Sequence, residues 1–473
     1  MADTAGQGEV GSKGTDFEGR RGFHFLSRGS AGAHGTDTRD DCGDENGTDQ
    51  THAIHSGEVP AQDGTATAGG QRQSCRPTGP GAGLRVSGEA AATPLSGVRV
   101  LELAQNLAGP YCSWILARLG ASVIKIERPG DGDVARSWGP PFVGGVGTIF
   151  TAANRDKRSV ALDITTPAGR DALRDLIAGA DVLIEAFRPG TFSRLGYDYE
   201  TVRGWNPRIL YCSVLAYGED GPLAELPGYD PLMQAHAGLM SVTGPADAPP
   251  SRVGTSIVDM GTGMWLAIAV LAALRDRDRT GRGARLSTAL FDSALAWNAY
   301  HLAGCIETGE APLRMGTELP MIAPYGAFPT SDGQLMVAAA NDGLFRRLCA
   351  ALGLHQLADD TDFLDNPSRV AGRNVLNARI AGATAGWTTE DLLRRLRTAG
   401  VPCAPILDAA GVIADPQTAA SGMIVRDDGP AATPLPLRWD GVRSGVGPPP
   451  PALGEHTAEV LAELAARRGR PAG

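Results

Sequence analysis

The sequence predicts an α/β protein: a doubly wound parallel sheet in a large domain, residues 93–290, and a smaller α+β domain over residues 316–410. Three observations carry this expectation. Between residues 95 and 218, short runs of aliphatic and β-branched residues alternate with amphipathic stretches that open on helix-start residues, as strand–helix–strand units do. After residue 316 the pattern becomes a hairpin followed by helices. Before residue 92 the chain is rich in Gly, Ser, Thr, Asp and Arg and nearly devoid of Leu, Ile and Val. Such a segment cannot bury enough apolar surface to offset its ordering entropy, so residues 1–92 read as a disordered N-terminal extension.

The elements follow in order. GVRVLELA is a buried strand, GPYCSWILARLG a helix opened by Gly109 and Pro110, and SVIKIER a second strand. SVALDI is a third strand, and TTPAGRDALRDLIAGA a helix with Thr166 as N-cap and Pro167 in its first turn. DVLIEAF and RILYCSVLAYG supply two more strands. VGTSIVDMGTGMWLAIAVLAAL places one acid, Asp259, ahead of a glycine-bracketed entry into a long apolar helix. TGRGARLSTALFDSALAWNAYHL reads as a turn, a strand and a linking helix, with residues 291–315 as linker. In the smaller domain, PYGAFPTSDGQLMVAAANDGLFRRLCAALGL is a hairpin turning at Ser331-Asp332-Gly333 and then a helix; TTEDLLRRLRTAGVPCAPI adds a helix and a strand. Residues 411–460 read as a linker and a return to the large domain, LGEHTAEVLAEL as the amphipathic helix that makes the return, and 461–473 as a flexible tail.

Composition narrows the function. The 473 residues are 42% hydrophobic and only 5% aromatic, enough for a large core of Ala, Val, Leu and Ile. A net charge of −10 and a pI near 5.4 exclude nucleic acid or an anionic membrane as partner, so any anionic ligand must be met by a local cluster. Seven cysteines are scattered without a CxxC, which argues against disulfides or structural zinc and for a reducing cytoplasm. His24, His34, His52 and His55 are spaced too irregularly for a metal site. The longest apolar run, Met264–Leu274, is too short to span a bilayer, and no export signal follows Met1. A doubly wound sheet binds ligands beyond the carboxyl ends of its strands. Its first crossover carries AQNLAGP and not GxGxxG, which disfavours a dinucleotide.

Taken in order, LSGVRVLELAQNLAGPYCSWILARLGASVIKIERPGDGD, NRDKRSVALDITTPAGR, DVLIEAFRPGTFSRLG, NPRILYCSVLAYGEDGP, GYDPLMQAHAGLMSVTG, VDMGTGMWLAIAVLAAL, TGRGARLSTALFD, GVPCAPI and LGEHT closely resemble the class III CoA-transferases, the formyl-CoA and carnitine CoA-transferase family. The likeness covers about residues 95–460. It implies a Rossmann-like large domain, two linkers to the small domain, and an interlocked homodimer. It also implies an acyl-CoA and a carboxylic acid as substrates, with CoA as co-substrate and no permanently bound cofactor.

In this resemblance Asp259 falls on the family's nucleophilic aspartate. A carboxylate just ahead of a helix is expected to be kept ionised by the helix's positive end, and Gly261 and Gly263 to let a bulky thioester approach, with amides near Gly261 steadying the oxyanion. The positions matching the CoA site are Gln105, Asn106, Leu107 and Ala108, then Arg128, Leu162, Phe187 and Arg194, the two arginines suited to grip phosphates. Where many relatives read ENF this chain reads EAF, so Ala186 lacks a side-chain amide.

The same family includes α-methylacyl-CoA racemases, which pair a His of a GHD motif with the aspartate. Here the motif is GYD, with Tyr229 in place of that His; a phenol is a poor base at neutral pH but can orient or donate to a thioester oxygen. Asp230 matches an acidic position of the transferases, where it positions the acceptor or hydrogen-bonds locally. Asp342 of NDGLF lies near a racemase acid without its partner, and His236 reads as structural. A racemase-like isomerase and a catalytically silent CoA-binding subunit are the alternatives to transfer; the second would have been signalled by loss of Asp259. The stretch Thr317–Phe328 has no glycine-rich loop, which disfavours oxalate as acceptor.

Overall fold

In the computed structural model β1 (Arg99–Leu103), β2 (Ser122–Glu127), β3 (Lys157–Ala161), β4 (Val182–Glu185), β5 (Leu210–Leu215) and β6 (Ala284–Ala289) form one six-stranded sheet. The order is β3-β2-β1-β4-β5-β6 and every neighbouring pair is parallel. The structure describes residues 93–426 and 429–468, so the expectation for residues 1–92 lies outside it.

Alternation along the strands builds two apolar layers. Val100, Val123, Val182, Ile184, Leu210 and Cys212 face α1 (Ala108–Arg118) and, later in the chain, α5 (Ile257–Thr280). Leu101, Leu103, Val160, Leu183 and Tyr211 face α2 (Pro167–Ala178) and α3 (Tyr199–Trp205). Thr166 caps α2 as expected, its hydroxyl accepting the Gly169 amide. The strand order reverses between β1 and β4, which opens a crevice at their carboxyl ends.

The helix α5 is longer than the apolar run inside it. It has 24 residues and by length and composition could cross a membrane, yet its inner face, with Val258, Leu266, Val270 and Leu274, belongs to the core. Gly263 permits the tight crossing with α1: a Cβ there would stand 2.6 Å from the Ala108 carbonyl oxygen. The outer face leaves Met264, Trp265, Ile268 and Leu271 exposed.

A short helix α4 (Asp230–His236) precedes α5, and α6 (Leu290–Trp297) and α7 (Ala299–Thr308) follow β6. Next comes an antiparallel sheet in the order β9-β8-β7, from β7 (Tyr325–Pro329), β8 (Gln334–Ala338) and β9 (Cys403–Pro405). It shares a core with α8 (Asp342–Leu352), α9 (Arg373–Thr384) and α10 (Thr389–Thr398). The chain then returns to the parallel sheet, where the Pro448 carbonyl accepts the Asp156 amide at 3.3 Å. The flexible tail expected from residue 461 is instead helical to 468: α11 (Thr457–Arg468) buries Val460 and Leu464, and Arg158 pairs with Glu459 and Glu463.

Beneath the crevice lies a buried ionic cluster. Glu102 of β1 meets Lys125 of β2 at 2.6 Å and Lys157 of β3 at 2.8 Å, and the Ser113 hydroxyl donates to it at 2.5 Å. Burial alone would raise the Glu102 carboxyl, but the two ammonium groups outweigh it and hold it at about 2. Burial, with the charge of Lys125, brings Lys157 down to about 8. Removing one member strands its partners in a medium of low polarity. Glu102→Gln is therefore expected to cost about 3–5 kcal/mol in denaturant unfolding, whereas Asp276→Ala, at the exposed Arg279–Asp276 pair, should barely move the midpoint.

Candidate functional site

The crevice holds a cavity of about 190 Å³ lined by Gln105, Asn106 and Ala108 from the β1–α1 turn, Ala186 to Pro189 after β4, Gly228 and Tyr229 before α4, and Asp259. Seven of the residues singled out in the sequence thus meet: Gln105, Asn106, Ala108, Ala186, Phe187, Tyr229 and Asp259.

Asp259 is not ahead of its helix but in the first turn of α5. The helix starts early because Asp230, itself only 2% exposed, caps it from α4. One oxygen of Asp230 accepts the Val258 amide at 2.8 Å and the Asp259 amide at 3.2 Å; the other accepts from the Gln234 amide group at 2.6 Å. The positive end of α5 is therefore occupied by a different carboxylate. Asp259 responds in the opposite sense to the expectation of a readily ionised group: burial, and then the negative charge of Asp230, push it up to about 7.

The glycines are also placed differently. Gly261 and Gly263 do not line the cavity; a Cβ on Gly261 would lie 2.6 Å from the Trp297 indole nitrogen, and Gly263 faces the backbone of α1. Both serve close packing of α5 against Trp297 and α1, and the open space lies on the cavity side of Asp259. Gly261 sits in the helix interior, where its amide points along the axis to the preceding turn.

Two further turns are held by carboxylates. The Asn106 amide donates to Asp133 at 3.1 Å, while Lys125 donates to the Ala104 carbonyl at 2.7 Å, so both ends of the Ala104–Asn106 turn are tied to the ionic cluster. This matters because Asn106 adopts φ = 67°, a left-handed conformation that a side-chain-bearing residue keeps only when its surroundings enforce it. After β4 the Phe187 amide donates to Glu185 at 3.0 Å, and Phe187 stacks on Phe192 with centroids 5.0 Å apart. Burial raises the Glu185 carboxyl.

The other matched positions stand off the cavity wall. Leu107 is buried in the core and Leu162 partly buried in the opposite layer. Arg128 is exposed and pairs with Asp131 at 2.5 Å; Arg194 is exposed and donates to the Thr191 hydroxyl at 3.0 Å. His236 packs edge-on against Phe291, and Asp342 in the smaller unit accepts from Arg369 at 2.6 Å.

Sequence reasoning missed Arg188, Asp133, Glu185 and Gln234. Arg188 is exposed at the rim and also lines a neighbouring cavity of about 400 Å³, which contains Glu185, Tyr199, Tyr211 and Arg285 but not Asp259. Gln234 had a signal, its spacing of four from Asp230, which sets both on one helical face.

The comparisons agree with one another. The family model for CoA-transferase family III matches residues 95–457. A succinate–glutarate CoA-transferase of Agrobacterium fabrum is 41% identical, over 78% of this chain and 96% of its own length. An acetyl-CoA:oxalate CoA-transferase of Acetobacter aceti is 38% identical over 79% and 96%. The crystal structure of a CAIB/BAIF family protein from Brucella suis is 42% identical, covers 79% of this chain and 100% of that one, and superposes with a TM-score of 0.72. From its sequence and its parallel-sheet architecture alike, the chain belongs to CoA-transferase family III.

Proposed function

We propose that Asp259 is the nucleophile that moves CoA from an acyl-CoA thioester to a carboxylic acid. The observation that carries the reading is a carboxylate set on the wall of the crevice cavity beside Tyr229 and the Gln105–Asn106 turn, at the carboxyl ends of the strands. The Asp259 carboxylate attacks the thioester carbonyl and expels CoA thiolate, leaving a mixed anhydride. The thiolate attacks the aspartyl carbonyl and releases the donor acid, giving an aspartyl-CoA thioester. The acceptor carboxylate then displaces thiolate to form a second anhydride, and the thiolate takes the acceptor's acyl group and frees Asp259. Tyr229 is suited to donate to the thioester oxygen, and Arg128, Arg188 and Arg194 to meet the phosphates at the surface.

Relatives named for succinate, glutarate and mesaconate support a dicarboxylic donor and acceptor, with succinyl-CoA as the first donor to try. The apolar outer face of α5, together with exposed Trp297, supports a homodimer in which a second copy covers it. Light scattering should then report a dimer, and Trp265→Glu should shift it towards monomer.

Incubation with succinyl-CoA and no acceptor should load CoA onto Asp259. Hydroxylamine should convert that carboxyl to a hydroxamate in the peptide Val253–Leu274, and Asp259→Ala should lose label and activity together. Deuterium entering the α-carbon of a 2-methylacyl-CoA without labelling of the protein would replace transfer by isomerisation. Because only the carboxylate attacks, a pKa raised to about 7 places the acid limb of kcat/KM there: the rate should fall about tenfold per pH unit below it and level off above.

A further inference from the structure

The loop that leads into α5 is tied down at both ends by one helical face of α4. Gln234 is fully buried, and both ends of its side-chain amide are used: the nitrogen donates to Asp230 at 2.6 Å and the oxygen accepts the Val253 amide at 2.8 Å. Asp230 in turn accepts the Val258 and Asp259 amides. The path Val253–Gln234–Asp230–Asp259 thus closes around Val253–Asp259 and leaves neither amide of the loop's ends free to swing.

We propose that Gln234 is a positioning residue for Asp259, acting with Asp230 as a staple that fixes where the carboxylate meets the thioester carbonyl. This rests on the reading of Asp259 as nucleophile. Gln234 touches no substrate, since it lies on the buried face of α4 and outside the cavity wall. Its leverage is geometric. A misplacement of about 1 Å at a reacting atom can cost on the order of a hundredfold in rate, and loss of either hydrogen bond frees one end of the loop.

The donor and acceptor pattern provides a test that packing alone does not pass. Gln234→Met keeps the volume and removes both hydrogen bonds. Asp230→Asn and Gln234→Glu each set two like groups against one another, whereas the two together reverse donor and acceptor along the same bond and still accept the Val253, Val258 and Asp259 amides. Three quantities are read: the rate of hydroxylamine-trapped labelling of Asp259 from succinyl-CoA, the affinity for that ester, and hydrogen–deuterium exchange of the peptide spanning residues 251–262. Each single variant should slow labelling by about tenfold or more, with ester affinity within about threefold, and speed exchange in that peptide. The double variant should recover most of both losses, and it carries the test if Gln234→Met fails to fold. Unchanged exchange in the single variants, or fast exchange with labelling at the wild-type rate, overturns the positioning role alone. A wild-type enzyme that takes no label overturns the nucleophile reading and this role with it.

Discussion

Buried carboxylates that accept backbone amides hold the crevice in shape. At the carboxyl end of a parallel strand the sheet ladder stops, and the turn that follows carries amides with no strand to receive them. Asp133 takes the amide of Asn106, Glu185 that of Phe187, and Asp230 those of Val258 and Asp259. Three segments of the cavity wall are thereby each set by an acid that is itself removed from water. What balances the three charges differs. Asp133 faces the Lys125 ammonium at 2.9 Å, Asp230 faces a helix N-terminus, and Glu185, with the least compensation, is driven by burial towards its protonated form.

The Asn106 turn shows how this arrangement reaches down into the sheet. Lys125 touches Glu102, Asp133 and the Ala104 carbonyl, so one ammonium joins two neighbouring strands to the turn above them. A left-handed Asn is tolerable there because both flanking backbone groups are already engaged. The ionic cluster is therefore as much a device for backbone geometry as a contribution to stability, and replacing it by apolar residues of equal volume would leave the turn unsupported.

Much of the sheet was legible in the sequence because its determinants are local. Aliphatic runs mark the strands, Thr166 and Pro167 mark a helix start, and Ser331-Asp332-Gly333 marks a hairpin. The position of Asp259 on the cavity wall followed from a resemblance spread over many segments. Its surroundings were less so. The capping of α5 by Asp230 joins residues 29 apart through space, and no window along the chain contains both partners in a recognisable pattern. The glycines of the GTG stretch looked like room for a substrate, whereas the space they make is filled by Trp297 and α1. The final helix was legible as an amphipathic stretch in LGEHTAEVLAEL, but not its run to residue 468; it is ordered by Val460 and Leu464 finding a place beside α2 and β3.

That last helix sets an order on biosynthesis. A nascent chain emerges from its amino end and folds in units as they become complete. The smaller unit draws its core from Ala323 to Cys403, a continuous stretch, and can close as soon as that stretch is out. The parallel sheet cannot: the layer containing Val160, Leu173 and Ile177 waits for Val460 and Leu464, synthesised nearly three hundred residues later. The domain that begins first finishes last, and until then the apolar patch that Val460 and Leu464 cover beside α2 and β3 stands without that cover, where a chaperone would find the chain most in need of it.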